Sequence, residues 1–169
     1  MRVLLPLPDR DFDVTEVAVP WAILRDAGHK VVFATEKTAT VPAADPRLLT
    51  GVLVLARTRD PAAGRGDLAD RRTTCLPKYM ERSAYLATAW RLGRYYRTYP
   101  AYVEDEVRAA LADPGAQFER GPVTLSARGT ATDDRPAFVV RDRNYVSARW
   151  PGDAYLFGRA FRDLLESSS

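Results

Sequence analysis

Two short apolar runs, Arg2–Leu7 and Val31–Thr35, flank one amphipathic stretch at the start of this chain. This spacing constrains the fold more than any other feature. Each run has the length and composition of a buried strand. Strand, helix and strand within about 35 residues make a βαβ unit, which is almost always right-handed with parallel strands. The linking helix carries its own signals. Asp13 is placed to cap it, and Glu16 follows three residues later as in a capping box. Val17, Trp21 and Leu24 recur at helical spacing on one face. Pro20 predicts a kink or a late start. Gly28 predicts the stop.

The rest of the chain continues the α/β pattern. Leu48–Arg57 is apolar with few β-branched residues, so periodicity leaves strand and buried helix both open for 50–56. Lys78–Arg97 reads as a helix with Tyr85, Ala89, Leu92 and Tyr96 on one face. Tyr102–Ala112 reads as a shorter helix whose first turn holds Glu104, Asp105 and Glu106, where the helix dipole favours them. Gly115–Gly121 reads as a connection. Val123–Ala127, Ala137–Arg141 and Tyr145–Arg149 are strand candidates, the last two joined across Asp142-Arg143-Asn144. Pro151-Gly152-Asp153 opens a final helix with a stripe of Ala154, Phe157, Phe161 and Leu164. Ser167–Ser169 is expected to fray.

Composition removes several function classes. The chain has 169 residues, which fits a single domain over 1–169. No apolar run approaches the roughly 20 residues of a membrane span, and the N-terminus lacks a signal-peptide pattern. Cys75 is the only cysteine, so an internal disulfide and a cysteine-based zinc site are both excluded. A cytoplasmic location is expected, with no metal and no cofactor. The net charge of +3 is mild and its arginines are dispersed, so no nucleic-acid partner and no membrane partner are expected. Arg91, Arg94 and Arg97 interleave with Tyr95, Tyr96 and Tyr99, but tyrosines at helical spacing are usually core.

Several separate motifs carry a family resemblance. They are Leu4–Pro6 with Asp9, Asp11–Glu16, Ala27–Thr35, Gly51–Arg57 and Asn144–Asp153. In this order they resemble the PfpI/ThiJ superfamily, which is type 1 glutamine amidotransferase-like. The resemblance implies a flavodoxin-like α/β fold, its mostly parallel sheet flanked by helices. It also implies a loss. Family members follow the second strand with a Pro-Gly-Gly loop and a Cys-His-Gly nucleophile elbow. Here Leu49-Thr50 stands where Cys-His is expected, and Pro-Gly-Gly is absent. At least two βα units, some ~60 residues, are missing relative to the family pattern. The resulting gap in the sheet predicts that the Thr50–Ala56 run fills it, that chains pair into a homo-oligomer, or that the fold is marginal.

Candidate residues come partly from the resemblance and partly from the residues themselves, Cys75 among the latter because it does not match the family's nucleophile. Glu16 matches the acidic residue that the family sets beside its cysteine to tune thiol ionisation, and it also reads as a capping glutamate. Cys75 is the one thiol, close in sequence to a helix start and to Arg71 and Arg72, which could favour a thiolate. Free cysteines are more often inert core residues. Thr50 could act as a nucleophile if Glu16 served as its base. Gly51 could offer backbone N–H groups to an anion at a helix start. Arg149 and Trp150 resemble a family turn beside the active-site pocket, where they would line a residual cleft and bind substrate; the same turn reads equally as a helix-start staple. His29 reads as a surface residue near a helix C-terminus. The first expectation is a binding or interaction protein without the usual cysteine chemistry. The second is a hydrolase or glyoxalase/deglycase-type enzyme acting on small carbonyl or amide substrates through relocated residues. The third is a ligand-sensing regulatory domain.

Overall fold

The structure is a computed structural model that describes residues 1–37, 43–44, 66–94, 100–124 and 126–168. In chain order its elements are β1 (Arg2–Leu7), β2 (Arg10–Phe12), α1 (Val14–Asp26), β3 (Lys30–Thr35), β4 (Ala43–Ala44), α2 (Lys78–Leu92), α3 (Val103–Ala109), α4 (Pro114–Gln117), β5 (Val139–Asp142), β6 (Tyr145–Ala148), a 3₁₀ turn at Pro151–Asp153, and α5 (Ala154–Ser167). They group into two compact units.

The first unit comprises Met1–Gly51, Ala127–Phe138 and Trp150–Ser169. It contains the expected βαβ. Strands β1 and β3 pair in parallel, from Arg2 opposite Lys30 to Leu7 opposite Thr35. Strands β2 and β4 form a second, shorter parallel pair. Asp13 does cap α1, but its Oδ1 accepts the Thr15 N–H at 2.7 Å, and Glu16 makes no return bond to a described residue. The capping box is therefore half-built. Helix α1 starts at Val14 and runs through Pro20, so the late start is not taken. Proline lacks the N–H that would bond the carbonyl four residues back, which is that of Glu16. Gly28 ends the helix as expected. Its φ of +81° is open to glycine, and His29 N–H reaches back to the Leu24 carbonyl at 2.9 Å.

Helix α5 packs on α1 through a contact the apolar stripe did not suggest. A Cβ placed on Gly158 would lie 2.6 Å from Ile23 Cδ1 and 3.2 Å from Pro20 Cα. Only glycine admits this approach without displacement. Leu24 and Leu164 are buried, and Phe157 stacks on Phe161 with ring centroids 6.0 Å apart. At the end of α5 the Ser167 and Ser168 hydroxyls donate to the Leu164 carbonyl at 2.9 and 2.8 Å.

The second unit comprises Val52–Ser126 and Val139–Arg149. Leu68, Leu76, Met80, Val103, Val107 and Phe118 are among its buried apolar residues. Strands β5 and β6 form the expected antiparallel hairpin. Helix α2 ends at Leu92, short of Arg97, because Gly93 turns the chain at φ +58°. The connection after Asp113 contains a one-turn helix, α4. Asp113 caps it by accepting the Gly115 and Ala116 N–H groups, with Pro114 in the first position.

The strand expected at Val123–Ala127 does not form among its described residues. The Tyr79 hydroxyl takes the place of a partner strand. It accepts the Thr124 N–H and donates to the Thr124 carbonyl, both at 3.0 Å. With both backbone groups satisfied by one side chain, a ladder is not needed. Among the described residues, no helix is long and apolar enough to cross a membrane.

Candidate functional site

In the first unit, Glu16 sits in the first turn of α1 and is half-buried. Burial pushes its carboxyl up to about 7, and the nearby Asp13 carboxylate adds to the rise. Burial removes the water that stabilises a carboxylate, and a like charge disfavours ionisation further. Glu16 therefore changes protonation near neutral pH.

Trp150 belongs to the same unit and is buried. Its indole fills the space over Gly152, where a Cβ would lie 2.3 Å from Trp150 Cζ2. The Arg128 guanidinium stands 4.9 Å from the centroid of its ring. The indole Nε1 is buried and has no hydrogen-bond partner among the described residues. The surrounding turn is well fixed. Gly129 N–H donates to the Gly152 carbonyl at 2.8 Å, and the buried Asp153 carboxylate accepts the Phe138 N–H at 3.0 Å.

In the second unit, Cys75 is 0% exposed. Burial raises its thiol well above the usual range, and the Glu104 and Glu81 carboxylates raise it further against a weaker opposing effect of Arg108. The sequence placed a helix start and two arginines near this thiol. Among the charged groups that act on it, the two carboxylates outweigh the one arginine, Arg108. A thiolate is the nucleophilic form, and this environment disfavours it.

Those two glutamates have a structural task. Helix α2 begins after Pro77 and α3 after Tyr102, and neither N-cap residue supplies a capping side chain. Glu104 of α3 accepts the Lys78 N–H at 2.8 Å, and Glu81 of α2 accepts the Val103 N–H at 3.0 Å. Each helix caps the other. Arg120 pairs with the buried Glu104 carboxylate.

The same unit holds a hydroxyl cluster that sequence reading missed. Thr73 Oγ1 is 2.8 Å from the Tyr145 hydroxyl and 3.3 Å from Ser147 Oγ, which in turn accepts the Thr74 N–H at 3.0 Å. Thr74 Oγ1 is buried without a partner among the described residues. Tyr145 and Ser147 alternate along β6, and that period-two polar pattern was the one available signal. Burial raises the Tyr145 phenol above its ordinary value, so it stays protonated at neutral pH. The cluster offers hydrogen bonds rather than a base.

Arg149, also of the second unit, is 2% exposed, and its Nη1 donates to the Pro122 carbonyl at 2.7 Å. Thr50 and Gly51 lie outside the described residues. Of the sequence-named candidates, Glu16 and Trp150 fall in one unit and Cys75 and Arg149 in the other. Among the described residues no three His, Cys, Asp or Glu side chains gather to hold a metal ion.

Comparison with known proteins bears on this arrangement. Residues 7–56 match the family model described as ThiJ/PfpI family-like. An uncharacterized protein of Schizosaccharomyces pombe is 44% identical over 52 residues, which are 31% of this chain and 19% of that protein. The match thus spans about a fifth of the curated relative's length. The crystallographic structure of APC35852 is similar with a TM-score of 0.67 at 16% identity, covering 99% of each chain. The structure of glyoxalase III from Candida albicans is similar with a TM-score of 0.61 at 12% identity, covering 96% of each chain. At these identities the structural likeness speaks for the fold alone. Residues 7–56 are thus similar to the ThiJ/PfpI family-like model, and the described residues have a flavodoxin-like α/β fold like that of these two solved structures.

Proposed function

We propose that this chain is a ThiJ/PfpI-like binding protein that does not run the cysteine chemistry its resemblance implies. The carrying observation is the state of its one thiol. Cys75 is fully buried, and burial, followed by the charges of Glu104 and Glu81, opposes its ionisation. The resemblance supports the same reading, because it aligns Leu49-Thr50 with the position expected for Cys-His. The ligand class follows from the orphaned indole N–H of Trp150, a donor waiting for an acceptor. A small carbonyl or amide compound supplies one. Arg149 is the adjacent candidate in sequence, and Thr50 and Gly51 remain candidates from the resemblance. A cytoplasmic setting suits a chain with a single cysteine. Assembly into a homo-oligomer would pair the second edge of β1, which among the described residues bonds only β3.

The test combines thiol labelling with ligand titration. In the native protein, Cys75 should react with a disulfide reagent only as fast as the chain opens. Methylglyoxal or acetamide should bind without turnover, and Trp150→Phe should weaken binding by about tenfold while leaving the fold intact. Rapid stoichiometric labelling of native Cys75, with loss of an activity in Cys75→Ser, would sink the proposal.

One observation favours a second reading. A carboxyl that titrates near 7, as Glu16 does, suits general acid–base catalysis at neutral pH. One structural neighbour is a glyoxalase III. On this reading Glu16 acts on a small carbonyl substrate, with Thr50 as its partner nucleophile. Methylglyoxal consumption that disappears in Glu16→Gln, but not in Cys75→Ser, would select it over the binding reading.

A further inference from the structure

The segment Ala127–Phe138 of the first unit holds two arginines and two aspartates. Asp133 is gripped by Arg135, whose Nε and Nη2 donate to its two carboxylate oxygens at 2.9 and 2.7 Å. Asp134 pairs with Arg159 of α5. Arg128 is left over. It is exposed, and it forms no hydrogen bond or ion pair with a described residue. Its place is nevertheless well defined. The guanidinium lies over the Trp150 ring, 4.9 Å from the centroid. The backbone behind the two side chains is tied together. Gly129, the next residue, donates its N–H to the Gly152 carbonyl at 2.8 Å, and a Cβ on Gly129 would lie 2.9 Å from Ala137 Cβ. Trp150 itself is 6% exposed, and its buried Nε1–H lacks a partner. Two unsatisfied donors of different kinds therefore adjoin: a neutral N–H inside and a cation at the surface.

We propose that Arg128 and Trp150 form one subsite for a 2-oxo acid, with the carboxylate on Arg128 and the oxo oxygen on the indole N–H. The inference rests on the small-ligand reading above and narrows its ligand class. A guanidinium carries five N–H donors, and contact with one ring leaves some of them for a carboxylate. Arginine holds that group in a charge-assisted, often two-pronged bond. A neutral carbonyl or amide compound would pair the indole and leave Arg128 idle. A plain carboxylate on Arg128 would leave the buried N–H orphaned, with the penalty such groups carry. A 2-oxo acid answers both donors, because its two acceptors sit on adjacent carbons. The close approach of guanidinium and ring suits a ligand of that compactness. Arg128, as the exposed partner, meets the anion first. A shift of its long side chain then uncovers the ring beneath it.

The test uses pyruvate, pyruvamide and acetate. Pyruvate carries both the oxo group and the carboxylate, pyruvamide lacks the charge, and acetate lacks the oxo group. Titration calorimetry on the full chain should rank pyruvate at least about tenfold above each of the other two. Pyruvate binding should weaken as salt rises, because Arg128 is exposed. In Arg128→Gln, pyruvate should fall to the level of pyruvamide, whose own affinity should not change. One indole N–H resonance should move when pyruvate is added, and that resonance should be missing from Trp150→Phe. Circular dichroism checks the fold of both variants. Arg128→Gln changes an exposed position, so it carries the test even where Trp150→Phe fails to fold. Acetate binding as tightly as pyruvate, or pyruvate binding unchanged in Arg128→Gln, overturns the proposal. Pyruvamide bound through Trp150 with pyruvate bound no better sinks the 2-oxo acid subsite and leaves the small-ligand reading standing. Binding of none of the three by about 10 mM overturns both.

Discussion

Glu104 accepts the backbone N–H of Lys78 at 2.8 Å, and so the first turn of α3 supplies the cap that Pro77 cannot give to α2. Glu81 returns the service to α3 through Val103. Losing either carboxylate takes the acceptor from a helix N–H group, the part-buried one of Lys78 or the buried one of Val103. Glu104→Ala should destabilise the second unit by about 2 kcal/mol and Glu81→Ala by about 1 kcal/mol. A double-mutant cycle by urea unfolding checks this. The two losses should be non-additive, because each cap fixes the helix that carries the other.

Glu16 sets a pH dependence of stability. Its ordinary value is 4.5, and in the folded chain burial and Asp13 push it up to about 7. Between those values the folded state holds more protons than the unfolded state. Its contribution is therefore full below about 4.5, falls as pH rises towards 7, and is gone above that. The total is at most about 3 kcal/mol. Glu16→Gln should flatten this slope, raising Tm at pH 8 and leaving it nearly unchanged at pH 4.5. Thermal melts across that range make the comparison. An unchanged slope would refute the assignment.

Gly158 should tolerate no side chain. The Cβ of Gly158→Ala would meet Ile23 Cδ1 at 2.6 Å, an overpacking worth about 1–3 kcal/mol. Ile23→Val removes that methyl. The double variant should therefore be more stable than the sum of the two single losses, as measured by chemical denaturation.

Tyr79→Phe should cost about 1–2 kcal/mol, because both backbone groups of Thr124 lose their bond to the Tyr79 hydroxyl. Hydrogen exchange at the Thr124 amide should speed up by at least about tenfold, while exchange in β5 and β6 stays slow.

The elements that were legible in the sequence are those set by local periodicity. The βαβ of Arg2–Thr35 and the hairpin of β5 and β6 follow from spacing and turn residues alone. What stayed hidden are partnerships between distant residues. Nothing local to Glu104 says that its carboxylate caps a helix 26 residues earlier. Nothing local to Val123 says that a tyrosine hydroxyl will stand in for a strand. Gly158 looks like a weak helix residue until Ile23 and Pro20 are brought against it. The candidate site divides in the same way. Trp150 and Glu16 are candidates through family resemblance alone. The hydroxyls of Thr73, Tyr145 and Ser147 read as ordinary polar strand and loop residues, and only their burial gives them meaning.

The packing of α5 on α1 has a consequence for how the chain comes into being. Helix α1 is complete once Asp26 has left the ribosome, yet Gly158, which closes over Pro20 and Ile23, is translated more than a hundred residues later. At about 5–20 residues per second, that apolar face waits on the order of ten seconds for its cover. During this interval the nascent chain presents a surface suited to chaperone capture.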